Sequence, residues 1–472
     1  MQPQTKRTLT VFALAMINVS LIASLRGLPT MAEYGLSIIF YLSIAIIAFL
    51  IPSALISAEL ATGWPKKGGV YAWVKEAFGE RWGFLATWLQ WSQNLIFYPT
   101  ALAATAAMIA YIFMPSLASN KLYVLAIILI VYWGATLINM RGMKTSSRVS
   151  SFGVIAGILI PGILLIIMGI VWITMKQPIA IDLSTAKIIP DFSDIKNIAF
   201  LSGIFLFFAG MEVSAVHVRE AKNPKRDYPR AIFLSAAIIA VIFIMGALIV
   251  AFLVPQSELS LTAGIMEAFQ TVFNKFGLAW LIPVIAALAA AGLIAQVSSW
   301  IAGPSKALLA TAEYGNLPPF FQKTNKAGMP IHIFLVQGII VTAVSMVFIF
   351  MPSVSSSFWI LTALTAILYL IMYIIMFVAV IKLRYSQPNV ERTYKIPGGK
   401  FGIWFIGLLG IIGAGFAITV GFIPPGQLQT GGWLSYVSFL AIGIAVMLFA
   451  PLLIYKFKKP SWINKQFVNK NN

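Results

Sequence analysis

The chain has 472 residues, of which 60% are hydrophobic and only 10% charged, with a mean hydropathy of +0.90; a soluble domain carries about 25% charged residues. Apolar side chains in that proportion need the bilayer as their solvent, which excludes a soluble enzyme, a nucleic-acid binder and a secreted module. Cysteine is absent and His217 and His332 are the two histidines, so disulfides, thiol chemistry and Cys- or His-based metal sites have little to be built from.

Apolar runs of about 20 residues, with tilt and overrun allowed, predict an all-α integral membrane protein of twelve spans. They lie near 8–31, 36–60, 83–114, 121–139, 150–174, 196–219, 229–254, 278–303, 329–351, 356–383, 402–423 and 432–455. An even count puts both termini on one face, and the net charge of +19 follows it. Of the 33 Lys and Arg, 27 fall on the face of the termini, among them Lys6, Arg7, Lys66, Lys67, Lys144, Arg148 and Arg219. Five fall on the other: Lys121, Lys176, Lys187, Lys196 and Lys275. This is the positive-inside pattern, so both termini are expected in the cytoplasm, in a multi-pass protein of the cytoplasmic (inner) membrane. The basic balance belongs to topology and gives no reason to expect a nucleic-acid partner. No cleavable signal is evident, since the first span is too long for one. One integral domain is expected, its loops too short to house a soluble catalytic unit.

Two spans differ from the others. The first reads INVSLIASLRGLP and the sixth FLFFAGMEVSAVHV, each with small and polar residues where a stable membrane helix would have leucines. They open corresponding blocks of five spans. Paired broken helices at corresponding positions point to a transporter built from inverted repeats, because unwound backbone is tolerated at membrane depth only where it lines a cavity. Arg26 and Glu212 stand near those breaks, and a charge at a helix centre costs roughly 2.5–3.5 kcal/mol. Either they form a structural ion pair or snorkel from a helix end, or they face an aqueous substrate cavity. Tyr369 and Tyr373, at i and i+4, share one helix face; the spacing alone suits core packing as well as a site.

Motifs narrow the reading. The stretch Pro52–Phe84, PSALISAELATGWPKKGGVYAWVKEAFGERWGF, resembles the signature of the amino acid–polyamine–organocation (APC) superfamily, with Ala58–Glu59–Leu60, Pro65, Gly68–Gly69, Tyr71 and Trp73 at matching spacing. GMEVSAVHVREAKNPKRDYPRA (Gly210–Ala231), SSWIAGPSKALLATAEYGNLPP (Ser298–Pro319) and ERTYKIPGGK (Glu391–Lys400) resemble its glutamate/GABA antiporter branch. The resemblance runs from about Thr8 to Tyr455. It implies a LeuT-like fold of five-plus-five inverted repeats, about 8–174 and 196–383, with two added helices at about 402–455 and helices 1 and 6 broken. It also implies alternating-access exchange of an amino acid, acidic such as glutamate, for an amine or neutral amino acid such as GABA. The alternative is a basic amino acid/amine exchanger or a proton-coupled importer.

On that template the backbone N–H groups near Ile22, Ala23 and Ser24 would receive a substrate carboxylate. Carbonyls near Phe208, Ala209 and Gly210, and an ionised Glu212, would accept from the ammonium. The resemblance adds Gln93 and Asn94 from helix 3, which serve equally as interhelical glue, Ser298, Ser299 and Trp300 from helix 8, and Tyr369 and Tyr373 from helix 10. The basic run KNPKRDYPR reads as a topology anchor, with a gate against Glu59 as the other option. Two departures stand out: Arg26 where the branch has a tyrosine, and a tail from Lys456 far shorter than the branch's C-terminal plug. The expected partners are amino acid or amine substrates, membrane lipid and, in the coupled alternative, protons; no cofactor and no metal are expected, in a monomer or homodimer.

Overall fold

Hydrocarbon offers no water to a backbone, so an apolar run must close its own hydrogen bonds as a helix. The computed structural model describes residues 9–64, 68–142, 153, 155–183, 187–190, 198–214 and 221–464. Lys6, Arg7, Pro65, Lys66, Lys67, Lys144, Arg148, Lys196, His217 and Arg219, all named above, lie outside the described residues, as does the tail beyond Asn464.

In chain order the principal helices are α1 (Val11–Ile22), α2 (Leu28–Ala32), α3 (Gly35–Gly63), α4 (Val70–Phe78), α5 (Glu80–Phe113) and α6 (Lys121–Met140). Then come α7 (Ala156–Thr174), α8 (Leu201–Phe207), α9 (Met211–Ser214), α10 (Arg226–Leu253) and α11 (Gly264–Lys275). The series closes with α12 (Ala279–Glu313), α13 (Ile331–Phe350), α14 (Val354–Ser386), α15 (Gly399–Gly421) and α16 (Trp433–Lys456). Ten of these are long and apolar enough to cross a membrane. The two remaining apolar runs are each split into a pair of short helices.

The splits have local causes. After α1 the chain turns extended at Ala23 (ψ 122°) and Ser24 (ψ 126°), then makes a single 3₁₀ turn over Leu25–Gly27 before Pro29 sets the first turn of α2. Between α8 and α9, Gly210 adopts φ +125°, a conformation a side chain resists. A Cβ at Gly210 would lie 3.4 Å from Ile22 and 3.8 Å from the Trp300 ring, so the two breaks are neighbours in space.

Two of the connections between the predicted spans contain helices. Residues 63–82 hold α4, whose Val70, Tyr71, Trp73, Val74 and Ala77 are buried; residues 255–277 hold α11, which buries Ile265, Met266, Ala268, Phe269, Val272 and Phe273. Both are amphipathic, so neither yields a long apolar run. At the centre stand α5, α12 and α14; α16 lies outermost, with only 11% of its most apolar stretch buried. Where α7 crosses α12, a Cβ at Gly157 would fall 2.4 Å from the Gly292 Cα, so the backbones meet with no room for side chains, as small residues permit. Polar side chains tie other helices: Trp91 and Ser305 both donate to Gln337 Oε1 (2.9 and 3.0 Å), and Asn139 donates to Ser298 Oγ (2.9 Å).

Candidate functional site

A cavity opens beside the two breaks. Its wall includes Ile22, Ser24 and Arg26 from the first broken segment, Leu206, Phe207 and Ala209 from the second, Gln93, Asn94 and Phe97 from α5, Gln296 and Trp300 from α12, and Tyr369 from α14. About 40 Å³ is open to the centres of water molecules, enough for a few waters. Arg26 is 4% exposed. Its Nη1 donates to Thr100 Oγ1 (3.2 Å), and its guanidinium lies over the rings of Phe97 (4.6 Å) and Phe207 (5.0 Å). Its Nε has no hydrogen-bond partner, and none of the ion pairs among the described residues includes it. Aromatic faces offset part of the cost of burying a cation; they do not neutralise it.

Each break is held by a side chain from elsewhere. At the first, Ser24 Oγ donates to Gln296 Oε1 (3.1 Å) while Gln296 Nε2 donates to the Ala23 carbonyl (3.4 Å). At the second, the Gly210 N–H donates to the Tyr373 hydroxyl (2.8 Å), and that hydroxyl donates in turn to Glu212 Oε2. Glu212 also accepts from Tyr369 and, at 3.1 Å, from Gln90 Nε2. Its carboxylate therefore meets three donors and is absent from the cavity wall.

The residues named from the sequence thus separate. Ile22, Ser24, Arg26, Gln93, Asn94, Ala209, Trp300 and Tyr369 line the cavity; Ala23, Phe208, Gly210, Glu212 and Tyr373 stand behind it. Gln93 and Asn94 each donate to the Gln90 carbonyl (3.3 and 2.7 Å). Ser298 is engaged by Asn139, Ser299 donates to the Ala295 carbonyl of its own helix (3.1 Å), and neither is on the cavity wall. The option of an Arg26–Glu212 ion pair is not realised. Gln90, Thr100, Phe97, Phe207 and Gln296 were not singled out from the sequence, although Gln90 and Gln296 carry the signal that marked Gln93 and Asn94, an amide in an apolar run.

Glu59, fully buried, has other partners than the KNPKRDYPR run. Arg384 at the end of α14 engages both of its oxygens, Arg392 Nε lies 3.4 Å from Oε1, and the Ile396 N–H donates to Oε2 (2.9 Å). Of the basic run, Asp227 Oδ2 accepts from the Asn223 N–H (2.9 Å), which caps the start of the helix. Among the described residues no group of three or more His, Asp or Glu could hold a metal.

A family model described as "Amino acid permease" matches residues 8–448. The chain is 44% identical to an uncharacterized transporter of Legionella pneumophila over 96% of this chain and 97% of that protein. It is 32% identical to a glutamate/gamma-aminobutyrate antiporter of Lactococcus lactis, over 96% and 91% respectively. It is 27% identical to a probable agmatine/putrescine antiporter of the same species, over 83% of each.

Proposed function

Because the chain belongs to the amino acid permease family, a family of membrane transporters and not of enzymes, we propose that it exchanges an acidic amino acid such as glutamate for an amine or neutral amino acid such as GABA by alternating access. The cavity beside the breaks is its substrate site, and the surrounding chain forms a single domain. In this reading the two split segments count as membrane crossings, which gives twelve, arranged as two inverted sets of five with α15 and α16 added. Both termini face the cytoplasm of a cell whose inner membrane holds the protein, as the lysine and arginine distribution suggests.

The observation that carries the substrate is Arg26. Its buried guanidinium has no counter-charge among its contacts, and an uncompensated buried charge costs several kcal/mol. A side-chain carboxylate supplies what is lacking, through the planar fork that arginine presents. The same cation repels lysine, arginine or a diamine, which weighs against the exchange suggested by the agmatine/putrescine relative. In the remainder of the site, the half-helix beyond the first break starts at Ser24, later than expected, because the Ala23 N–H is spent on the Val19 carbonyl (2.8 Å) at the end of α1. The N–H groups from Ser24 onward receive the α-carboxylate. Of the expected carbonyls, that of Ala209, on the cavity wall, is the acceptor for the ammonium, while Glu212 acts through Tyr369 instead of by direct contact.

Counterflow in proteoliposomes tests this. Vesicles preloaded with unlabelled GABA or glutamate should accumulate labelled glutamate faster than empty vesicles. Arg26→Gln should weaken acidic substrates by roughly 10- to 150-fold, the value of a lost charged hydrogen bond, and neutral ones far less. Equal losses for acidic and neutral substrates would remove the selectivity argument.

A further inference from the structure

Away from the cavity, the lower end of the outermost helix carries a groove without a partner. It runs between the start of α5 and the last turns of α16, walled by Val446, Phe449 and Leu453 and edged by Arg81 and Lys456, with a volume of about 730 Å³. Its ends are fixed. Lys458 Nζ bonds Glu80 Oε2 (2.9 Å) and Asn316 Oδ1 (3.0 Å) on one side, and the Tyr455 ring packs on Phe84 at 6.4 Å. Glu80 is thereby spent on Lys458 and Asn316. Arg81 and Lys456 are both exposed, and neither takes part in an ion pair among the described residues. Two free cations therefore stand at the mouth of an apolar channel, beside Trp82, which is 47% exposed as interfacial tryptophans commonly are.

The geometry points to a binding site for an anionic phospholipid, its phosphate held between Arg81 and Lys456 and its acyl chains laid along Val446, Phe449 and Leu453. Charge complementarity selects this occupant. A zwitterionic lipid would fill the apolar wall equally well but leave both cations uncompensated, whereas basic pockets between membrane helices suit anionic headgroups. The phosphate would also bridge α5 to α16, where Lys458–Glu80 is the ion pair between them. The site is independent of what the protein transports; only its leaflet follows from the orientation proposed above.

Native mass spectrometry of the purified full chain, offered an equimolar mixture of phosphatidylglycerol and phosphatidylcholine, reads the preference directly. The wild type should retain phosphatidylglycerol selectively. Each basic group near a membrane surface contributes about fivefold, so R81Q/K456Q should lower the selectivity ratio by about tenfold or more, while R81K/K456R preserves it. A thermal-unfolding trace verifies that the variants are folded. Equal retention of the two lipids by the wild type would overturn the inference, and so would an unchanged ratio in R81Q/K456Q. A lipid-free dimer that Phe449→Ser dissociates would overturn it as well, since a second copy would then be the occupant. Lipid retention does not depend on exchange, so failure here leaves the transport reading standing.

Discussion

Tyr369 and Tyr373 sit one turn apart on α14, and both hydroxyls donate to Glu212, yet only Tyr369 reaches the cavity wall. Tyr373 also accepts from the Gly210 N–H, so removing its hydroxyl strands a buried backbone donor and takes a partner from Glu212. An unsatisfied buried group costs about 1–3 kcal/mol. Tyr373→Phe is therefore expected to lower the unfolding temperature clearly. Tyr369→Phe should change it little and raise KM, because water in the cavity can replace its hydroxyl. Thermal unfolding paired with counterflow kinetics checks this; equal temperature shifts for the two variants would refute the division of roles. The i, i+4 spacing showed that the rings share a face. It carried no information about which ring meets the cavity, since that depends on where Gly210 and Glu212 of the second break meet α14.

Among the helices, the joint around Glu59 shows what a sequence leaves unread. Glu59 stands near the end of α3, and Arg384, Arg392 and the Ile396 N–H close on it from the end of α14 and the following connection. The pairing spans 325 positions, and no local pattern announces it; the sequence offered Glu59 a partner only as the lesser option for the basic run at Lys222–Arg230, which reads first as a topology anchor. Removing one member of a buried pair leaves the other uncompensated, at about 3–5 kcal/mol. Glu59→Gln and Arg384→Gln should each destabilise strongly, and the double variant should lose much less than the sum. Additive losses in a denaturation cycle would show that the contact contributes nothing. The long helices were legible because hydropathy alone defines them, and the broken ones because Gly210, Ser24 and Arg26 interrupt apolar runs. Helices α4 and α11 were missed because a search for apolar runs passes over short amphipathic segments, although Val70, Tyr71, Trp73, Val74 and Ala77 follow the helical period.

For the molecule as a whole, two carboxyls outside the membrane spans, Glu33 at the end of α2 and Glu267 in the first turn of α11, couple stability to pH. Burial pushes both Glu33 and Glu267 up to about 7 from an ordinary 4.5, against the opposing hydrogen bonds from Gln256 and from the Ser260 N–H. The folded state then binds these protons more tightly than the unfolded chain does. The resulting stabilisation is complete below about pH 4.5 and is lost as pH rises through about 7. The unfolding temperature should accordingly fall between pH 5 and 7.5, roughly the interval bounded by those two values, and Glu33→Gln with Glu267→Gln should flatten the slope. A profile that rises over this interval would contradict the assignment. The two breaks near the centre have a different consequence. Gln296 on α12 holds the first and Tyr373 on α14 holds the second, so the bends answer to separate latches. A change that frees one bend therefore leaves the contact holding the other intact.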